Sequence, residues 1–226
     1  HPGIKIKYIA IPTTAGTGSE ATNNAVIMKP GKDGFKKSLR HENFIPDIAI
    51  IDPLFTITLP FEITIMSGLD ALSQLIESYT SIKSNIYIES ITLNAIIEMI
   101  KNLEKVMEES ENLNVRTSLS YAALISGIGL TNAGLGLVHG LASPLGHILN
   151  VPHGLICGNL LGPVNKKIIE KLILTNDTIT LEKYANISKG VCKHLINLND
   201  AIEWIIEYFD NIKNKFKLNS LKNYTH

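Results

Sequence analysis

The chain has almost no cysteine. Cys157 and Cys192 are the only two in 226 residues. That excludes a small disulfide-stapled secreted scaffold, and it leaves too few thiols for a zinc ribbon or finger. There is no excess of either charge: 21 Lys+Arg balance 21 Asp+Glu. Without a basic surplus to neutralise phosphates, no nucleic-acid partner is expected. Glycine and proline are too sparse, and apolar residues at 45% too abundant, for a disordered chain. An initiator Met and a basic-plus-apolar leader are both missing from the first residues. The chain opens at once on strand-like residues, so it is expected to continue something upstream. With two thiols and no leader pattern, a cytoplasmic location is the expectation.

Long uncharged runs are also scarce. Ala122 to Val138 is the segment open to misreading, since a membrane span needs about 20 apolar residues. It carries Ser126, Thr131, Asn132 and four glycines, and it leads into a His-Gly pair. It reads as a buried helix pair, and no membrane partner is expected.

What is present divides into two parts. The first ~60 residues are strand-rich with Gly/Pro punctuation. Ile4 to Ile11 predicts a strand stopped by Pro12, Asn24 to Met28 a second, and Asp47 to Ile51 a third. Lys29 to Gly34 reads as a turn. The remainder reads as helices. Ser67 is a fair N-cap for a helix over about 68–79, with Leu69, Leu72, Leu75 and Ile76 as its apolar stripe. Further helices are predicted over 87–109 and 116–133. Another carries His139 and is interrupted near Pro144. The next opens at Pro152-His153-Gly154, and two amphipathic helices follow over 181–195 and 199–216.

Three constellations can carry chemistry. Thr13, Thr14, Gly16, Thr17, Gly18 and Ser19 follow a predicted strand. Small residues there let backbone N–H groups approach a phosphate, and the hydroxyls add donors. No Lys-Ser/Thr follows, so this is no P-loop, and a plain polar loop has the same composition. Asp70 and Gln74 stand four apart on one helix and share a face. An Asp at that spacing from a His would be a metal pair, whereas Gln74 offers a neutral carbonyl oxygen. His139 and His153 are each followed by Gly in an apolar stretch. If buried they need partners, either within the core or as metal ligands facing Asp70. His147 is rotated by ~80° from His139 on an unbroken helix and is less suited to share its site. His41, His194 and His226 sit in polar surroundings and read as surface. Cys157 reads as an inert buried thiol, and Trp204 as core.

Taken together, IPTTAGTGSEAT (11–22), PDIAIIDP (46–53), SGLDALSQLIESYTS (67–81) and GLGLVHGLASPLGHILNVPHGLICGNLLGPV (134–164) resemble the iron-containing (group III) alcohol dehydrogenase family. The resemblance implies an α/β remnant followed by an all-α domain, the dehydroquinate synthase-like fold. Residues 1–60 would be the C-terminal part of an α/β nucleotide-binding domain. Residues 61–226 would be an incomplete helical metal and substrate domain. It implies NAD or NADP contacted by Thr13, Thr14, Thr17, Lys36 and Leu54. It implies Fe²⁺ or Zn²⁺ held by Asp70, Gln74, His139 and His153, with His139 and His153 as the catalytic histidines. A small alcohol or aldehyde substrate and a homo-oligomer complete the expectation.

The chain departs from that pattern in three places. Gln74 stands where the family normally has a fourth ligand, His. Ser143 replaces a further histidine near the nicotinamide. Family members are considerably longer, and their front part holds the diphosphate-gripping loop. The implied reaction interconverts an alcohol and an aldehyde or ketone by metal-assisted hydride transfer. The alternatives are a metal-independent reductase of the maleylacetate reductase type, with His139 or His153 as electrophile and proton source, or an inactive truncated member acting as a binding or oligomerisation module. A lyase of the related 3-dehydroquinate synthase type is disfavoured by TTAGTGSEAT.

Overall fold

From Phe61 onward the chain is helical, and the reason is visible in its periodic apolar residues and in its caps. The computed structural model describes residues 3–29 and 34–224; of Met28 and Lys36 only the backbone is described. Seven α-helices occur among these residues: α1 (Phe61–Thr80), α2 (Ile86–Lys105), α3 (Leu113–Ala133), α4 (Leu137–Leu149), α5 (His153–Leu174), α6 (Thr178–Val191) and α7 (Leu198–Lys215). Four of them start on a side-chain cap of their own. Asn85, Asn112, Asp177 and Asn197 accept from the first free N–H groups of α2, α3, α6 and α7. Each such cap is worth about 1 kcal/mol. The other three helices, α1, α4 and α5, have no cap of this kind. They are also the three that build the site described below.

α1 is the central element. Leu69, Leu72, Leu75 and Ile76 are fully buried against α2, α3 and the α5–α7 layer. Burying a side chain of this size stabilises by roughly 1.5–3 kcal/mol. Its opposite face is buried too, although it carries Asp70, Ser73, Gln74, Glu77 and Ser78. A helix submerged all round with two carboxylates on it must find partners for them. Those partners come from α4 and α5, while Ser126 of α3 bonds Gln74.

The strand-rich part is smaller than the sequence suggests. β1 (Ile9–Ala10) pairs in parallel with β4 (Ile48–Ala49), and β2 (Asn24–Lys29) pairs antiparallel with β3 (Phe35–Arg40). The predicted first strand over 4–11 shrinks to Ile9 and Ala10, and the third to Ile48 and Ala49, with the Asp47 and Ile50 N–H groups donating to the Tyr8 and Ala10 carbonyls at the two ends of the pair. β3 is not predicted at all. Its lysines in FKKSLR hide the period of two. The predicted turn over 29–34 falls mostly on residues 30–33, outside the described residues.

Other expectations are corrected as well. α1 begins seven residues before the predicted start, after Pro60 rather than Ser67. A proline is tolerated at a helix start, where its missing N–H would be unsatisfied anyway. α4 runs through Pro144 instead of breaking there. His41 and His194 are exposed, as expected, and His226 lies outside the described residues. Trp204 is only partly buried, stacked on Tyr208 with ring centroids 5.5 Å apart.

No single helix among the described residues is long and apolar enough to cross a membrane. α3 and α4 together have the composition, but they meet at 102°. Gly134 makes that corner with φ +73°, a backbone state that an L side chain resists.

The loop over 13–22 lies on α3, and its glycines serve that packing. A Cβ on Gly18 would stand 2.5 Å from the Gly127 nitrogen, and a Cβ on Gly127 would stand 2.0 Å from the Gly18 carbonyl oxygen. The glycines read from sequence as giving room to a phosphate thus give room to a helix. Gly127→Ala is expected to destabilise the fold. Alanine gains about 1 kcal/mol of helix propensity, but overpacking against a backbone atom costs roughly 1–3 kcal/mol and displaces the loop. Urea unfolding would show it as a lower midpoint. An unchanged or raised midpoint would mean that the loop is not held on α3.

Candidate metal centre

Three helices whose own N-cap residues make no side-chain cap bond converge on one point. Asp70 and Gln74 come from the middle of α1, His139 from the first turn of α4, and His153 from the first residue of α5. The α4–α5 connection is short, with Asn150 in the left-handed region at φ 49° and Pro152 directly before α5. It folds α5 back so that the two imidazoles meet, with ring centroids 5.5 Å apart. His139 Nε2 lies 3.1 Å from Asp70 Oδ1, and His153 Nε2 lies 3.7 Å from the same oxygen. Asp70 and His139 are buried, and His153 is about 30% exposed toward the cavity. His147 lies exposed on α4, away from this cluster.

Two residues join the cluster that the sequence reading did not place there. Cys157, one turn after His153 on α5, puts its Sγ 3.6 Å from His153 Nε2 and 3.8 Å from His139 Nε2. One donor atom each from Asp70, His139, His153 and Cys157 lie within 4.8 Å of one another. The i,i+4 spacing from His153 was a usable signal, but the apolar neighbours of Cys157 made it look like core. The thiol is buried, as expected, and what the sequence did not show is that it faces two imidazoles and a carboxylate.

Glu77 is the other. Its Oε2 lies 2.6 Å from His139 Nδ1, and its Oε1 accepts from the Val138 N–H at 2.6 Å and the His139 N–H at 3.4 Å. One carboxylate thus caps the N-terminus of α4, where negative charge is favoured, and holds the imidazole on that helix. The residue sits seven positions after Asp70, two turns along the same helix face.

The electrostatics follow from two carboxylates buried around an imidazole. Burial pushes the Asp70 carboxyl up, but His139, His153 and Cys157 outweigh it, and its pKa falls below the usual value. Burial would lower the His139 pKa; Asp70, Cys157 and Glu77 outweigh that and push it up to about 12. Burial pushes the Cys157 thiol up to about 11. The site therefore favours positive charge, and the carboxylates around His139 raise its affinity for a proton. A divalent ion fits the donor set. His139 would face it through Nε2 while Nδ1–H donates to Glu77, the arrangement that orients metal-bound histidines.

Gln74 is buried beside the cluster, with its Oε1 3.2 Å from the Ser126 hydroxyl. A cavity of about 590 Å³ opens over these residues and is lined also by Thr17, Arg40 and Ser143. A second, of about 390 Å³, is bounded by Thr14, Thr17, Asp70 and His153. Thr14 and Thr17 therefore line cavities that Asp70 and His153 also bound. Thr13 and Leu54 are exposed and line neither cavity, and the Lys36 side chain lies outside the described residues.

A strand-rich segment thus lies over a helical part, with a cluster of carboxylate, imidazole and thiol groups that could hold a metal ion beside the cavity between them. Residues 64–221 match the Fe-containing alcohol dehydrogenase family, C-terminal, and residues 1–53 match iron-containing alcohol dehydrogenase. The chain belongs to the iron-containing alcohol dehydrogenase family. It is 34% identical over 203 residues to the probable alcohol dehydrogenase EutG of Escherichia coli (strain K12), covering 90% of this chain and 49% of that protein. It is 31% identical to the 1-propanol dehydrogenase PduQ of Citrobacter freundii, covering 96% of this chain and 58% of that one. The structure of a 1,3-propanediol oxidoreductase superposes with a TM-score of 0.84 at 28% identity, over 96% of this chain and 55% of that one. The chain spans about half the length of the curated relatives it matches.

Proposed function

We propose that this chain supplies the metal- and substrate-binding part of an NAD(P)-dependent alcohol dehydrogenase that interconverts an alcohol with its aldehyde or ketone. The observation that carries this reading is the cluster of the buried Asp70 carboxylate, the His139 and His153 imidazoles and the Cys157 thiol, one donor atom of each within 4.8 Å of the others, opening on a cavity. Asp70, His139 and His153 hold a divalent ion, Fe²⁺ or Zn²⁺, and Gln74 borders it. When bound, the ion supplies Lewis acidity toward a substrate oxygen, and the nicotinamide takes or gives the hydride. The chain's own residues set the conditions. Asp70 and Glu77 keep the pocket electronegative. Glu77 fixes the tautomer of His139. Thr14 and Thr17 present hydroxyls at the cavity wall beside His153. Ser143 offers one more where the wider family resemblance expects an imidazole.

Residues 1–60 then form the last part of an α/β nucleotide domain and 61–226 the helical domain. The exposure of Ile4, Ile6, Ile9 and Ile48 beside a two-stranded parallel pair supports this division. Parallel strands pair stably only inside larger, covered sheets. Free thiols at Cys157 and Cys192 suit a reducing, cytoplasmic setting. A homo-oligomer is part of the same reading.

The test is metal content by mass spectrometry on the purified protein, together with alcohol-dependent reduction of NAD⁺ or NADP⁺ over a panel of short alcohols. Near-stoichiometric iron or zinc with cofactor reduction is expected. A well-folded protein that takes up neither ion when they are supplied, yet still reduces a carbonyl substrate, would favour a metal-independent reductase.

A further inference from the structure

We propose that Cys157 is the fourth protein ligand of this centre, a thiolate standing in for the imidazole that Gln74 does not provide. The inference rests on the metal reading above and adds to it the identity of the ligand that completes the ion's shell.

The geometry argues for it edge by edge. Bond lengths of about 2.0–2.1 Å for Zn–N or Zn–O and about 2.3 Å for Zn–S put tetrahedral ligand atoms about 3.4 Å apart for N and O, and about 3.5 Å apart for N and S. The two oxygen–nitrogen edges, Asp70 Oδ1 to His139 Nε2 and to His153 Nε2, measure 3.1 and 3.7 Å. The two sulfur–nitrogen edges, from Cys157 Sγ to the same nitrogens, measure 3.6 and 3.8 Å. Four of the tetrahedron's six edges thus lie within about 0.3 Å of the ideal with side chains as they stand, and the other two, between the two Nε2 atoms and between Asp70 Oδ1 and Cys157 Sγ, are within 4.8 Å. The sulfur thus lies in polar contact with both imidazole nitrogens and within 4.8 Å of the Asp70 carboxylate rather than among apolar side chains alone.

Placement points the same way. His153 and Cys157 lie one turn apart on α5, so a single rigid helix presents both donors to one point. Asp70 reaches that point from α1 and His139 from α4, so three helices are tied at the ion. Gln74 has a partner of its own in Ser126 and is a poor donor by comparison. A neutral amide oxygen competes weakly with a thiolate for a borderline-soft ion. A thiolate ligand has a chemical consequence. It shifts the site away from hard, oxygen-preferring ions and toward Zn²⁺, and it brings negative charge that the ion's own field stabilises.

The experiment uses Co²⁺ as a spectroscopic probe in the full chain after chelation and dialysis. Bound Co²⁺ shows ligand-field bands in the visible, and a thiolate ligand adds an intense sulfur-to-cobalt charge-transfer band in the near ultraviolet. Both are expected in the unaltered protein. In Cys157→Ser the charge-transfer band disappears, and Co²⁺ binds more weakly by more than the roughly 10–100-fold that loss of an outer partner costs. In Gln74→Ala the band persists unchanged. Visible bands without the charge-transfer band in the unaltered protein would remove Cys157 from the shell and leave Asp70, His139 and His153 as the ligands. A protein that binds no Co²⁺ at all would overturn both this proposal and the metal reading beneath it. Should Cys157→Ser fold poorly, Cys157→Ala gives the same spectroscopic comparison.

Discussion

Glu77→Gln is expected to weaken divalent-metal binding by roughly 10–100-fold while the helical domain stays folded. The argument turns on which atoms of residue 77 can donate. Glu77 is acceptor-only, and it accepts on both sides: from the Val138 and His139 N–H groups at the start of α4, and from His139 Nδ1. An amide has one acceptor and one donor end. If the amide oxygen keeps the helix N–H groups, the amide NH₂ faces His139 Nδ1. The ring then adopts the other tautomer and presents Nε2–H to the ion. If the amide oxygen instead keeps Nδ1–H, the NH₂ is pushed against the N–H groups of α4, and that helix loses its cap, worth about 1 kcal/mol. Either choice costs the site, and the two are separable. Metal titration by calorimetry reads the first, and thermal unfolding of the metal-free protein reads the second. Metal affinity within twofold of the original would show that His139 needs no help from Glu77 to hold its tautomer.

The parts of the site that were legible in the sequence are those whose signal is local. Asp70 on a helix and two His-Gly pairs in an apolar stretch mark candidates for a buried polar cluster without any knowledge of the fold. The motifs around them point to the family that the comparisons show. The helices were legible for the same reason, since their apolar period lies within each segment. Glu77 was not legible because its partner is 62 residues away, on the first turn of another helix. Nothing in SQLIESYTS distinguishes a glutamate that caps a distant helix from one on a wet surface. Cys157 was half-legible: the four-residue step from His153 was there, but the low polarity of LICGNLLG argued for core, and the residue is both buried and turned toward the donors.

The strands fared worse than the helices, and again the physics is that of range. A strand exists only where another strand pairs with it. Ile4 to Ile11 has the pattern of a long strand, yet only Ile9 and Ala10 meet a partner here. β3 has a partner in β2 but no alternation to announce it. The glycines of the 13–22 loop show a related ambiguity. Close approach was the right physical reading of their composition, but the approaching object at Gly18 is the backbone of α3.

The largest effect is expected at Asp70. Asp70→Ala and Asp70→Asn should both reduce bound metal to background, and the reason is charge rather than shape. Asp70 Oδ1 is the one oxygen that lies against both imidazole Nε2 atoms. A divalent ion brought from water into a site this buried loses most of its hydration, and anionic ligands must offset that cost. Glu77 is turned away toward Nδ1 and the α4 N-terminus, so its charge cannot be redirected to the ion without uncapping that helix, and a Cys157 thiolate alone would leave a divalent ion only half neutralised. Asparagine keeps the volume of Asp70 and one carbonyl oxygen but removes the charge, so it isolates the term in question. Without metal, both variants should fold. His139 keeps its bond to Glu77, and loss of the second carboxylate only lowers its affinity for a proton.

Thermal unfolding with and without added Zn²⁺ gives the readout. An ion that binds only the folded state stabilises the original protein by about 2.7 kcal/mol at a free concentration 100 times Kd, and both variants should show none of that gain. If Asp70→Asn kept the full Zn²⁺-dependent shift, the ion would have to sit where Asp70 does not reach. The convergence of α1, α4 and α5 would then be a buried ion-paired network holding the helices together rather than a metal centre.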